Sequence, residues 1–223
     1  MNNFLIPILQ IAYKDIILEL RTKDIFVTIL IFALLMGIIF SFVFVPTKQN
    51  VVLILPGTLW VSITFAGVLG FNRSLVLEKD KGSLDGLLLC PVTRDVIYLG
   101  KFLGLFLFMI SAEIFIVPLY AVLYNVSILD VGISVIVILT TIGFAAVGTL
   151  FSAICVNTRS REVMLPILLL PVSVPIIVAA VEGTRSILEG STIGIERWVQ
   201  LLVAFDVIFL ILASFTFGAA LEE

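Results

Sequence analysis

The chain of 223 residues contains no histidine. The commonest metal ligand and the commonest general base are thus missing together, and no axial histidine for haem comes from this polypeptide. Cysteine is nearly as scarce. Cys90 and Cys155 stand far apart, make no CxxC pair and supply no disulfide framework; they read as small buried apolar residues. Charge is thin as well, at 13% of residues against about a quarter in soluble domains. With a net charge of only -3, a nucleic-acid binder and a disordered chain are excluded. A phosphate-cradling loop is absent: the Gly100-Lys101 pair is followed by Phe102, and the position where a first glycine is required holds Asp95. No nucleophile elbow, HExxH motif or metal-ligand cluster is found, so no catalytic constellation supports a membrane enzyme and no cofactor or metal set is assigned to this chain.

What the chain does have is apolar length. Hydrophobic residues make up 61% of it and mean hydropathy is +1.26. A bilayer crossing needs roughly 20 apolar residues, because the hydrocarbon is about 30 Å thick and a helix rises about 1.5 Å per residue. Six stretches qualify: Ile25–Val45, Val51–Phe71, Phe102–Tyr124, Val131–Val156, Val163–Val181 and Val199–Leu221. The expected fold is a single all-α integral membrane domain over residues 1–223 with six transmembrane helices. The first stretch is too long for a signal-peptide core and follows a charged segment, so it reads as a permanent helix.

Lysine and arginine set the orientation. Lys14, Arg21, Lys23, Arg73, Lys79, Lys81, Arg94, Lys101, Arg159 and Arg161 fall on one side of six alternating spans, against Lys48, Arg185 and Arg197 on the other. Both termini are therefore expected in the cytoplasm. That count requires Val163–Val181 to cross fully. Its Pro166, Pro171 and Pro175 each remove a backbone donor, and they are helix-break candidates that fit either a hinge in a crossing helix or a re-entrant segment.

Three segments outside the spans carry pattern. In residues 1–24, Leu5, Ile8, Leu9, Ala12, Ile16 and Leu20 recur at spacings of three and four, opposite Gln10, Lys14, Asp15, Glu19 and Arg21. An amphipathic helix lying in the membrane interface explains this; a plain extension into the first span is the alternative. Residues 72–101 form a cytoplasmic loop in which a charged cluster, Glu78 to Lys81, precedes Gly82, Leu84, Asp85 and the run Leu87–Leu89, ended by Pro91. Leucines on a cytoplasmic element suit a groove on another protein, or rest on the lipid surface. Residues 182–198 form an outer loop with an interfacial look, anchored by Trp198.

Two carboxylates lie inside spans, Glu113 and Asp206. An intramembrane charge usually faces a partner or a water-filled path. Glu113 reads as the lining of a substrate route or as a hydrogen-bonded packing residue; Asp206 reads as structural. Gly100 and Gly104 make a small-xxx-small pair that permits close helix contact.

An N-terminal amphipathic helix, two spans, a charged-then-apolar loop and four more spans resemble the membrane subunit of ABC-2 type exporters. Three local patterns resemble the CcmB family, the haem exporter B proteins of cytochrome c maturation. They are Lys14-Asp15-Ile16-Ile17-Leu18-Glu19-Leu20-Arg21-Thr22-Lys23, the loop from Phe71-Asn72-Arg73 through Glu78 and Gly82-Ser83-Leu84-Asp85 to Pro91, and Leu165-Pro166 through Leu170-Pro171 to Pro175-Ile176-Ile177. The resemblance implies a permease paired with a separate ATPase subunit, CcmA, with two copies of each, in the bacterial cytoplasmic membrane. Residues Leu75–Leu89, with Glu78, Gly82, Leu84, Asp85, Leu87 and Leu88, would be the coupling helix. The resemblance further implies work with CcmC, CcmD and the haem chaperone CcmE, with ATP held by the partner and haem as a possible substrate of the complex. The alternatives are an ABC-2 permease for lipid, drug or polysaccharide, and an ATPase-independent secondary transporter or channel.

Overall fold

Hydrocarbon cannot hydrogen-bond a bare backbone, so each long apolar stretch has to satisfy its N–H and C=O groups as a helix. A computed structural model describes the chain except residues 1, 23, 45–46, 48–49, 81–85, 88, 129, 157, 159, 192–193 and 223; for residues 2–3, 19–22, 24–25, 72–80, 161–162, 219 and 221–222 it describes the backbone alone. The helices among the described residues are α1 (Asn2–Thr22), α2 (Asp24–Phe44), α3 (Val51–Asp80), α4 (Arg94–Tyr124), α5 (Val131–Cys155), α6 (Arg161–Leu188) and α7 (Ile195–Glu222). The last six, α2 to α7, are long and apolar enough to cross a bilayer. The fold is an all-α, six-span membrane bundle.

Local chemistry ends these helices where the chain must turn. Asn125 takes the left-handed conformation, φ 51°, just past α4 and closes it. Five residues on, Asp130 caps α5 by accepting a 2.7 Å hydrogen bond from the Gly132 amide. The 125–130 connection therefore reverses the chain tightly, and the start of α5 meets the end of α6 at Ile187.

α5 is the interior helix. It packs against α3, α4, α6 and α7, and its unbroken buried run Gly143, Phe144, Ala145, Ala146, Val147, Gly148 and Thr149 is mostly small residues. Small side chains let helix backbones approach closely where lipid supplies no hydrophobic drive. The Phe71 ring lies over Gly148, in the space a side chain there would take, and its centroid stands 5.3 Å from that of Phe144. Peripheral α2 and α7 expose apolar faces, including Leu35, Ile39 and Phe42 on α2 and Val207, Ile211 and Phe215 on α7. Outward leucine, isoleucine and phenylalanine are what lipid-facing helices present.

α6 is helical without interruption through Pro166, Pro171 and Pro175. Pro171 and Pro175 are exposed beside Ile167, Val174 and Val178, while Leu165, Leu169, Ser173 and Ile176 face the core. Pro171 and Pro175 thus sit on the outward side, Pro166 is half-buried, and the donors missing at Pro171 and Pro175 free the carbonyls of Ile167 and Pro171, both exposed residues. Of the two cysteines, Cys155 is buried as expected. Cys90 is exposed, because it lies in the turn before Pro91 rather than in a helix.

α1 docks by one face onto the start of α4. Ile8, Ile11 and Ala12 are buried, whereas Leu5, Leu9 and Tyr13 are exposed. The seat is Gly100 and Gly104: a Cβ on Gly100 would stand 2.7 Å from the Ile11 Cβ, and one on Gly104 would stand 3.2 Å from the Asp15 Cβ. The small-residue pair therefore serves a contact within the chain. Between the glycines, Lys101 is only 1% exposed, and its Nζ lies 3.1 and 2.9 Å from the two Asp15 carboxylate oxygens. Lys14 reaches the same carboxylate at 3.3 Å. Beside this pair, Ile11, Ile97, Tyr98, Ala153, Val156, Ala213 and Phe217 form a second core that joins α1, α4, α5 and α7.

Removing one partner of a buried ion pair strands the other charge and costs about 3 kcal/mol or more. Asp15→Asn should lower the unfolding midpoint of the purified protein in detergent clearly. Adding Lys101→Met to it should recover most of the loss. A double variant as unstable as the single one would show that the pair does not hold α1.

Candidate functional site

Polar side chains inside a bundle of this composition are few enough to follow one by one. Near the 125–130 end, the Trp60 Nε1 donates to the Thr184 hydroxyl at 2.9 Å, joining α3 to α6. The Ser62 and Tyr120 hydroxyls are in short hydrogen-bond contact, so one of the two gives its proton to the other, and the Ala33 carbonyl lies 3.4 Å from the Tyr120 hydroxyl as an alternative acceptor. These contacts join α2, α3 and α4. Thr64 donates to the Trp60 carbonyl, one turn back, and the Thr58 carbonyl stands as an alternative acceptor for the Ser62 hydroxyl.

Deeper in lie the two carboxyl groups. At about 1.5 Å per residue, Glu113 is roughly 16 Å from the Tyr124 end of α4, Thr141 roughly 15 Å from the Val131 end of α5, and Asp206 roughly 16 Å from the Ile195 end of α7. The three share one depth. Asp206 is about three turns inside α7, because that helix begins before Trp198.

Glu113 is 2% exposed. The Thr141 hydroxyl stands 2.8 Å from each of its carboxyl oxygens and 2.7 Å from the Val137 carbonyl. A hydroxyl has one proton to give, so it serves one of these three acceptors at a time. Glu113 is thus tied to α5 and closed off from solvent in this packing, as a hydrogen-bonded joint between α4 and α5. Asp206 is 5% exposed, and neither of its oxygens has a hydrogen-bond partner among the described residues. Its Oδ1 occupies the space above Gly143 where a side chain would stand, next to Ile176 and Phe205. The Thr140 hydroxyl, one turn before Gly143, is likewise buried without a partner. The two sequence candidates thus flank α5 from opposite neighbours. Nothing in the sequence singled out Thr140, Thr141 or Gly143, since a threonine or glycine in an apolar run looks like ordinary packing.

The loop candidates are placed in part. Glu78 falls in the last turn of α3, where the backbone is described; Gly82, Leu84, Asp85 and Leu88 lie outside the described residues. Leu87 is half-buried and packs with Val92 on the second core, while Leu89 is 87% exposed. The arrangement offers no metal site: no cluster of three or more acidic, histidine or cysteine residues occurs among the described residues.

With this geometry in view, comparison with known proteins is decisive. The profile of the family described as CcmB protein matches residues 6–223. The chain belongs to the CcmB family. It is 26% identical over 210 residues to a Heme exporter protein B of Rhodobacter capsulatus, covering 94% of this chain and 95% of that protein. It is also 26% identical over 220 residues to the Heme exporter protein B of Haemophilus influenzae, covering 96% of each. Against the Heme exporter protein B of Pseudomonas aeruginosa it is 24% identical over 179 residues, 79% of each chain.

Replacing Glu113 by Gln keeps an oxygen and adds a donor toward Thr141, so Glu113→Gln should change the unfolding midpoint little. Thr141→Val deletes the partner and leaves a buried carboxyl unsatisfied, at a cost of about 1–3 kcal/mol. The unfolding midpoints of the two variants in detergent check this; a larger drop for Glu113→Gln would reverse the assigned roles.

Proposed function

We propose that this CcmB-family chain is the permease subunit of an ABC system for haem export in cytochrome c maturation. The observation that carries the reading is the family match across residues 6–223, joined to six helices long enough to span a bilayer. The name these relatives carry, Heme exporter protein B, supports haem as the cargo. The chain lacks a Gly-x-x-x-x-Gly-Lys-Ser/Thr loop, so ATP hydrolysis falls to a separate subunit of the CcmA kind. CcmC, CcmD and the haem chaperone CcmE are the further partners, two permeases assemble per complex, and ATP drives release of haem-loaded CcmE.

In this reading the chain sits in a bacterial cytoplasmic membrane with both termini inside. The lysine and arginine bias supports that side for α1, the α3–α4 connection and the α5–α6 connection. The α3–α4 connection then faces the ATPase. Leu89, exposed beside Cys90 and Pro91, supports the docking role, since an exposed leucine is stabilised by burial against a partner. Leu87, half-buried, also packs on the second core.

Co-expression of the chain with its ATPase tests this. Leu89→Asp should abolish co-purification of the ATPase and leave membrane insertion and the unfolding midpoint unchanged. Leu87→Asp should lower the midpoint. Full ATPase recovery with Leu89→Asp, or with Leu84→Asp and Leu89→Asp together, would remove this connection as the docking element.

A further inference from the structure

Among the described residues, Asp206 stands apart from the other buried charged side chains, Glu113 and Lys101. Glu113 has Thr141, Lys101 has Asp15, Trp60 has Thr184 and Tyr120 has Ser62. Asp206 is buried too, at 5% exposure, and both its oxygens are without a hydrogen-bond partner among the described residues. The groups that flank it over Gly143 are apolar or neutral. From α5 come Gly143, over which Oδ1 sits, and the unpartnered Thr140 hydroxyl one turn away. Ile176 approaches from α6, and Phe205 is its neighbour on α7. The other titratable group at this depth, Glu113, faces α5 from the α4 side and is bonded to Thr141. The described charged groups of the elements packed on α7 lie toward helix ends: Asp130, Glu182, Arg185, Glu189, Glu196 and Arg197 at one end, and Arg94, Asp95 and Lys101 in the first turns of α4.

An ionised carboxylate in such a place costs far more than protonation does. The fit is also too close for a hydrated cation, because the oxygen already fills the space over a glycine. We propose that Asp206 is a proton-binding site that acts as a latch between α5 and α7. With the proton on, the neutral acid lies on Gly143 and the helices pack as seen. When the helices part and water reaches the carboxyl, the O–H bond breaks and the proton passes to that water. The charged carboxylate then holds the seam open. The sign follows from linkage: the packed state binds one proton more than the parted state. Raising the pH therefore favours parting, by up to about tenfold per pH unit, and lowering it favours packing.

The test uses the full chain in lipid nanodiscs. Nitroxide labels at Val131→Cys and Glu196→Cys, both exposed positions at the starts of α5 and α7, report the separation of the two helices in a Cys90→Ser, Cys155→Ala background. Between about pH 5 and about pH 9, a longer distance should grow in at the expense of the packed one. Asp206→Leu and Asp206→Asn, which cannot ionise, should keep the packed distance throughout. A distance distribution independent of pH in the parent protein overturns the proposal, as does a pH response that survives in either variant. A second measurement needs no variant at Asp206. In Glu113→Gln protein, infrared spectra at acidic pH should retain a buried carboxylic-acid C=O band that disappears as the pH rises. Absence of that band at every pH overturns the proposal even if the Asp206 variants fail to fold.

Discussion

Close approach to α5 is the contact on which the rest of the bundle depends. Lipid tails are as apolar as leucine, so helices in a bilayer gain little from merely hiding hydrophobic surface. They associate where backbones come near enough for dense packing and where a polar group finds its partner inside protein. The face of α5 from Gly143 to Thr149 offers the first, and Thr141 offers the second. Phe71 of α3 closes over Gly148, Glu113 of α4 binds Thr141, and Asp206 of α7 lies over Gly143. Three neighbours thus take their positions from one helix, and widening any of those glycines would push a neighbour outward.

The same principle explains the attachment of α1. Its apolar positions alone place it in an interface, but Gly100 and Gly104 let it approach the α4 backbone, and the Asp15–Lys101 pair then fixes which way it faces. A buried pair of this kind is weak as a source of stability and strong as a source of register, because each wrong placement leaves a charge alone. The face left outward, Leu5, Leu9 and Tyr13, is apolar and long enough to rest on lipid.

Much of this was legible in the sequence for a simple reason: hydrocarbon thickness imposes a length, and length survives in composition. The six spans and the two intramembrane carboxylates follow from that alone. Partners did not follow. Lys101 looked like the positive end of a loop, yet it lies within α4, because Asp15 comes from a helix that hydropathy treats as separate. The glycine pair beside it was visible as a contact motif without a recipient. The prolines of α6 pointed to a broken helix or a hinge; the helix runs through them, and the carbonyls released by Pro171 and Pro175 belong to the exposed residues Ile167 and Pro171. Ile11, absent from the periodic stripe of α1, is buried because the seat on α4 rather than the membrane plane decides which face turns inward.

The distribution of polar bonds gives the bundle unequal strength along its axis. One end is tied by Asp15–Lys101 and by the aromatic core of Tyr98 and Phe217, whose ring centroids are 5.3 Å apart. The other end is tied by Trp60–Thr184 and Tyr120–Ser62. Between them α4 is bonded to α5 through Glu113, but α7 meets α5 at the same depth through a carboxyl that makes no hydrogen bond among the described residues. Parting α7 from α5 there breaks packing alone, while parting α4 from α5 breaks packing and a buried hydrogen bond together. At this depth the α5–α7 seam thus rests on close side-chain packing, and the α4–α5 seam on packing together with a buried hydrogen bond.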